Sequence, residues 1–163
     1  MTESNKRLKT ESFDQITTVE LAQESGISRS SFYTHYRDKY DMIERYQQAL
    51  FHKLEYIFDK HQDDKRQAIT EVFEFLTKEP LFAVLLTENG TKEIQTFLRH
   101  KLQILLVDSL QERYSHKSLT DIERVYSSVY LTNAFFGVCQ MWVSRGKKES
   151  PQQMAEFLMK MLR

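Results

Sequence analysis

Hydrogen-bond donors crowd one stretch near the start of this 163-residue chain: Thr17 and Thr18, then Arg29, Ser30 and Ser31. The chemistry such a set offers is recognition. An arginine can bond O6 and N7 of a guanine together, which discriminates between bases by about 1–3 kcal/mol. Hydroxyls and helix N-termini bond phosphate oxygens. Catalysis finds no comparable foothold. No nucleophile stands beside a base and no phosphate loop is present, so the chain reads as a non-enzyme. His52, His61, His100 and His116 pair with no second His or Cys at ligand spacing, and His52 with Glu55 at i, i+3 is too little for a metal. Neither a metal nor a cofactor is implied. Cys139 sits among apolar residues and reads as a small core side chain.

Two short helices must present those donors. Thr17 and Glu20 fit a capping box, in which each side chain satisfies the other's orphan amide, so a helix is predicted to start at Thr18. Ile16 and Leu21 stand where a hydrophobic staple would clamp that start. Ser25-Gly26 ends it, because Gly takes the positive φ of a helix C-terminus at little cost. Ser28 is a second N-cap, with Ile27 and Phe32 as its staple. Arg29 to Tyr36 make about two turns, and Asp38 caps a third helix. Two helices joined by a Gly-bearing turn form a helix-turn-helix, whose second helix enters the DNA major groove. Arg29, Ser30 and Ser31 then lie in its first turn, where side chains reach base edges. Thr17 and Thr18 sit at the first helix's N-terminus, in reach of a phosphate, although capping alone explains Thr17 equally well. Phe32 and Tyr36 fall on the opposite face, as core.

Ile16, Thr17, Leu21, Ala22, Gly26, Ile27, Ser28, Phe32, Tyr33, His35, Tyr36 and Lys39 fall without a gap on one known pattern. Its specific part is Phe-Tyr-x-His-Tyr followed by Arg-Asp-Lys-Tyr-Asp. The stretch resembles the DNA-binding domain of TetR/AcrR-family transcriptional regulators, with Ser25, Ser30 and Ser31 as mild departures. The resemblance implies an all-α, TetR-like fold with an N-terminal helix-turn-helix unit. It implies that Tyr33 and His35 contact phosphate and base, that Thr34 tunes sequence choice, and that Lys39 reaches the DNA backbone. Residues 4–15 look like the tail of the family's first helix, which is otherwise shortened, and this predicts a loosely braced reading head.

Composition is consistent with that fold. Apolar residues make up 40% and aromatics 12%, ample for a core, while four Gly and two Pro leave long unpunctuated stretches suited to helices. A single cysteine, the lack of an apolar run of about 18 residues and a polar N-terminus predict a cytoplasmic protein. Charge points the other way from DNA. The chain has 23 basic and 23 acidic residues, and residues 26–40 carry Arg29, Arg37 and Lys39 against Asp38. Affinity must come from placed contacts and doubled sites, since no basic field exists.

Beyond the motif, Ile43, Tyr46, Leu50, Leu54 and Ile57 mark one face of a helix from Asp38 to about His61. The domain boundary is placed inside it, giving 1–46 as the DNA-binding domain and 47–163 as an effector-binding and dimerisation domain. Further helices are predicted over 66–78, over 81–87 behind Pro80, and over 92–114. A capping box at Thr120–Glu123 opens another that reaches about Arg145, and Ser150-Pro151 opens the last. The 120–145 helix is apolar on two sides, so it must be buried from two directions. With the striped last helix it suggests self-pairing, two helices per subunit making a four-helix bundle.

This C-terminal region resembles that of a Firmicutes-type branch of the family which includes regulators of dihydroxyacetone kinase operons. A homodimer is expected through Val129, Phe136, Gly137 and Val143, together with Met154, Phe157, Leu158 and Met161. Gly137 costs about 1 kcal/mol against Ala in a helix interior, offset by close approach at the pairing face. Phe73, Phe82, Phe97, Tyr126, Tyr130 and Phe135 are candidates for an effector pocket, although a plain core explains them too. The function expected is that of a repressor: a homodimer on a palindromic double-stranded DNA operator, modulated by a small-molecule effector, with no membrane partner. The alternative is a protein of the same fold that acts by docking on another protein.

Overall fold

Most of the helices begin where a side chain stands in for a missing backbone partner. The computed structural model describes residues 12–24, 26–88, 90, 92–114 and 119–162. Among them the secondary structure is helical throughout, with no strand. A single 3-10 turn, Phe13–Gln15, precedes α1 (Thr18–Glu24), α2 (Arg29–His35), α3 (Lys39–Lys60) and α4 (Lys65–Lys78). Then come α5 (Pro80–Leu85), α6 (Lys92–Tyr114), α7 (Asp121–Ser144) and α8 (Pro151–Met161). The capping box at α1 is as the spacing predicts: the Thr17 amide donates to Glu20 Oε2 at 2.8 Å, and the Glu20 amide donates to Thr17 Oγ1 at 3.2 Å. The same device opens α7 at Thr120–Glu123 and α8 at Ser150–Gln153. Ser28, Asp38 and Asp64 cap α2, α3 and α4 by accepting the amide three residues on.

The turn between α1 and α2 needs its glycine. Gly26 has φ +70°, its N–H bonds the Gln23 carbonyl, and the Ile27 N–H reaches back to the Ala22 carbonyl. That pair of bonds is a Schellman motif, which satisfies carbonyls the helix end leaves open. Ile27, expected as a buried staple residue, is instead exposed. Phe13, Ile16, Leu21, Phe32 and Ile43 are buried in the head, and all but Phe32 join the core that continues into the body. Phe13 and Ile16 thus supply some of the bracing that a shortened first helix was expected to lose.

In the remainder, α4 packs along α8 and α6 along α7, while α3 reaches α4 and α6. Two aromatic groups fill the interior. Phe51 of α3 meets the rings of Phe82 and Phe97, the latter at 5.1 Å, and Phe82 meets Phe75. Phe73 of α4 meets Trp142 edge-on at 4.9 Å and lies near Phe135. The corner after α7 is stitched by Trp142 Nε1–H donating to the Glu149 carbonyl and by Lys147 Nζ donating to the Leu76 carbonyl.

This packing divides the aromatic set. Phe82 and Phe97 belong to one ring group and Phe73 and Phe135 to the other, whereas Tyr126 and Tyr130 point outward. Tyr130 and Phe135 line the groove between α7 and α8, while Phe73, Phe82 and Phe97 fill the interior. Burial likewise divides the residues expected to pair. Phe136, Met154 and Leu158 are buried in the subunit's own core, with the Arg99 guanidinium 4.5 Å from the Phe136 ring. Val143 packs at the edge of that core. Val129, Gly137, Phe157 and Met161 remain exposed, in company with Ile122, Val125, Tyr126, Tyr130 and Met141. On α7 these recur at steps of three and four, one stripe along the helix. Beside it runs a groove of about 1500 Å³ between α7, α8 and the α3–α4 turn, with Tyr130, Met141, Phe157 and Met161 on its walls.

Candidate nucleic-acid interface

The second motif helix, α2, turns one apolar side chain inward and its polar ones outward. Phe32 is 1% exposed, held between the Tyr33 and Tyr36 rings at 5.6 and 5.4 Å. Arg29, Ser30, Ser31, Tyr33, Thr34 and His35 are all exposed. They share one short helix, so the predicted recognition residues are brought together as a surface. Arg29 lies 5.9 Å from the Tyr33 ring, one turn on, within cation–π range.

The hydroxyls on this face differ in what they can still give. Ser28 Oγ accepts the Ser31 amide and donates to Ser31 Oγ at 3.0 Å, so the Ser30 hydroxyl, 3.1 Å away, is left to donate to Ser28. Thr34 Oγ1 donates to the Ser30 carbonyl at 2.9 Å. A hydroxyl has one hydrogen. Ser30 and Thr34 therefore hold theirs within the helix, while Arg29, Ser31, Tyr33 and His35 keep donors for a ligand. On α1, Thr17 Oγ1 donates to Glu20 Oε2 at 2.8 Å, and Thr18 Oγ1 accepts the Lys39 amide at 3.4 Å. Thr17 serves the cap, the simpler of the two roles weighed for it.

Lys39 departs from expectation. Its side chain is neither an outward phosphate contact nor a solvated charge: the residue is 6% exposed. The ammonium donates to the carbonyls of Phe13, Asp14 and Ile16 at 2.8, 3.0 and 2.5 Å. It lies 5.0 Å from each of the Phe13 and Tyr40 rings. Burial pulls its pKa below the ordinary lysine value, and Asp14, Asp38 and Glu20 act in the opposite direction. Three donors on three carbonyls make burial of the charge tolerable.

Asp41 is the residue that reading the sequence missed. Its carboxylate is buried at the first turn of α3 and accepts the Arg37 amide at 2.9 Å. The guanidiniums of Arg37 and Arg45 stand 3.5 and 3.3 Å away and are themselves exposed. The Arg37 amide, then the Arg45 and Arg37 charges, hold the carboxyl below the usual carboxylate range. The Arg37–Asp41–Arg45 spacing at i, i+4 was the available signal. Tyr40, beside it, donates to Asp14 Oδ1 at 2.8 Å.

Other chemistry has little support. Among the described residues no group of three His, Cys, Asp or Glu is placed to hold a metal ion, and no helix is long and apolar enough to cross a membrane. Burial pushes the Cys139 thiol up to about 12, far from a reactive thiolate. His52 and Glu55 form an exposed pair at 3.3 Å and nothing more.

Known proteins agree with this geometry. Residues 6–46 match the model for bacterial regulatory proteins of the tetR family, and residues 63–163 match one for a transcriptional regulator C-terminal region. An uncharacterized HTH-type transcriptional regulator of Bacillus subtilis (strain 168), YxbF, is 25% identical over 159 residues, which cover 91% of this chain. The chain spans 40% of that relative's length. Among solved structures, the dihydroxyacetone kinase operon activator DhaS superposes with a TM-score of 0.57, over 98% of this chain and 89% of that one, at 15% identity. That likeness is one of fold. With a family model matching most of the chain and a second covering the helix-turn-helix, the protein belongs to the TetR family of bacterial transcriptional regulators.

Proposed function

We propose that this regulator is a repressor that reads a palindromic operator as a homodimer through the outward face of α2. The observation that carries the reading is that face: Arg29, Ser31, Tyr33 and His35 stand together, exposed and with donors to give, over a buried Phe32. Arg29 reads a guanine edge, Tyr33 and His35 hold phosphate and base, and Thr17 and Thr18 lie where the backbone passes. The division into a reading head, 1–46, and a body, 47–163, accords with this assignment, with α3 joining the two.

Pairing is supported by the stripe on α7. Val129, Tyr130, Gly137 and Met141, with Phe157 and Met161 of α8, are exposed apolar or small residues on adjoining helices. A second copy covers them as a four-helix bundle. No neighbouring atom lies within 4 Å of the place a Gly137 Cβ would occupy, so the partner helix has room to approach. Two heads so joined meet successive major grooves about 34–36 Å apart. A small-molecule effector bound in the body changes their separation and releases the operator by the coupling free energy between the sites.

The test is selection of bound fragments from sheared genomic DNA, with the winner titrated at several salt concentrations. Enrichment of a palindrome, a steep fall of affinity with salt, and a loss of about 10–100-fold on Arg29→Ala are expected. No enrichment at low salt refutes operator reading by this chain and turns attention to docking on a protein partner.

A further inference from the structure

We propose that Lys39 is a positioning residue of the reading head, one that fixes α1 against the start of α3 and touches no DNA. The inference deepens the operator-binding reading and rests on it. Its ground is the arrangement of the 13–16 segment, which leads the chain into α1. The ammonium collects the carbonyls of Phe13, Asp14 and Ile16, while Phe13 and Ile16 bury their side chains below. The Lys39 amide also reaches Thr18 at the first residue of α1. One residue along its own helix, Tyr40 holds the same segment through Asp14. Two residues on, Asp41 holds the amide of Arg37, just beyond the end of α2.

The first turn of α3 therefore grips the 13–16 segment through Lys39 and the exit of α2 through Asp41. Between these grips lies the whole helix-turn-helix. A tetrahedral ammonium satisfies three converging carbonyls, whereas a planar guanidinium cannot point three N–H bonds at them from one atom. A phosphate contact has the opposite preference, since arginine keeps the charge and adds donors. The identity of the cation thus separates the two roles.

The experiment compares Lys39→Met and Lys39→Arg with the wild type in the full chain. It reads hydrogen exchange of the 13–24 amides and operator affinity across a salt series. Positioning predicts that both variants raise exchange over 13–24 while α7 and α8 keep wild-type protection. It predicts that both lose at least tenfold in affinity, with the slope of log K against log salt unchanged. A phosphate role predicts normal exchange, wild-type affinity for Lys39→Arg, and a slope for Lys39→Met shallower by about 0.9 for each phosphate no longer neutralised. That result overturns the proposal, as does raised exchange with unaltered affinity. If the wild type binds no DNA, the operator reading fails; unchanged exchange in both variants would still overturn the grip on α1 by itself.

Discussion

Replacing Phe32 with Ala should open the reading head and leave the body folded. Phe32 is 1% exposed and its ring meets Tyr33 and Tyr36 at 5.6 and 5.4 Å. Truncating a buried Phe costs about 3–5 kcal/mol, the lost ring contacts included. Against that, a head of about 46 residues at about 0.05–0.15 kcal/mol per residue holds only about 2–7 kcal/mol. The loss is comparable to the whole. The body does not share it, because Phe73, Phe82, Leu85, Trp142 and Leu158 pack around α4, α5, α7 and α8 without Phe32. Hydrogen exchange resolved by peptide is the assay. Amides 18–36 should exchange as in an unfolded chain while those of 121–161 stay protected, and operator binding should vanish. Wild-type protection in α1 and α2 would refute the reasoning, and so would loss of protection throughout.

Smaller perturbations test the other links. Gly26→Ala forces a side chain into φ +70° and should cost about 1–2 kcal/mol, seen as faster exchange confined to the head. Asp41, whose carboxyl lies below its ordinary value chiefly through the Arg37 amide, contributes stability that is full above the ordinary carboxylate pKa of about 3.9. That stability is lost as pH falls through the lowered folded value, because the unfolded chain takes up the proton first. Asp41→Asn should therefore flatten the fall in head stability below about pH 4, measured by denaturant titration at several pH values. Val129→Glu places a charge on an exposed position of the α7 stripe, so subunit stability should move by no more than about 0.5 kcal/mol. Sedimentation should show the proposed dimer in the wild type and monomer in the variant; an unchanged coefficient would refute pairing through this stripe.

The head was legible in the sequence because its signals are short-range. A capping box needs two residues three apart, a Schellman turn needs one glycine, and a recognition face needs one apolar side chain among polar ones. Thr17–Glu20, Gly26 and Phe32 each carry their meaning within a single turn of helix. Lys39 does not. Its partners are the carbonyls of Phe13, Asp14 and Ile16, more than twenty residues back. A pattern of side-chain types says nothing about which backbone oxygens a lysine will find. Asp41 falls between the cases: its arginines lie within a turn, but its burial is not written in that spacing.

The body shows where periodicity stops deciding. With apolar residues on both sides of α7, the steps of three and four yield two candidate faces and no rule for choosing between them. The choice is made by neighbours. α6 takes the side bearing Ser128, where Gln103 Nε2–H donates to its hydroxyl at 2.8 Å, and α5 takes Gln140 through the Leu86 carbonyl at 2.6 Å. These polar contacts fix the rotation of α7 about its axis. Phe136 and Trp142 then go inward, and Ile122, Val125, Val129 and Met141 are left outside. The aromatic set was divided by the same rotation. Phe135 lies on the buried side toward Phe73, while Tyr126 and Tyr130, on the stripe with Val129, face out. The two sides meet at the groove beside α8, where Tyr130 and Phe135 line the same walls.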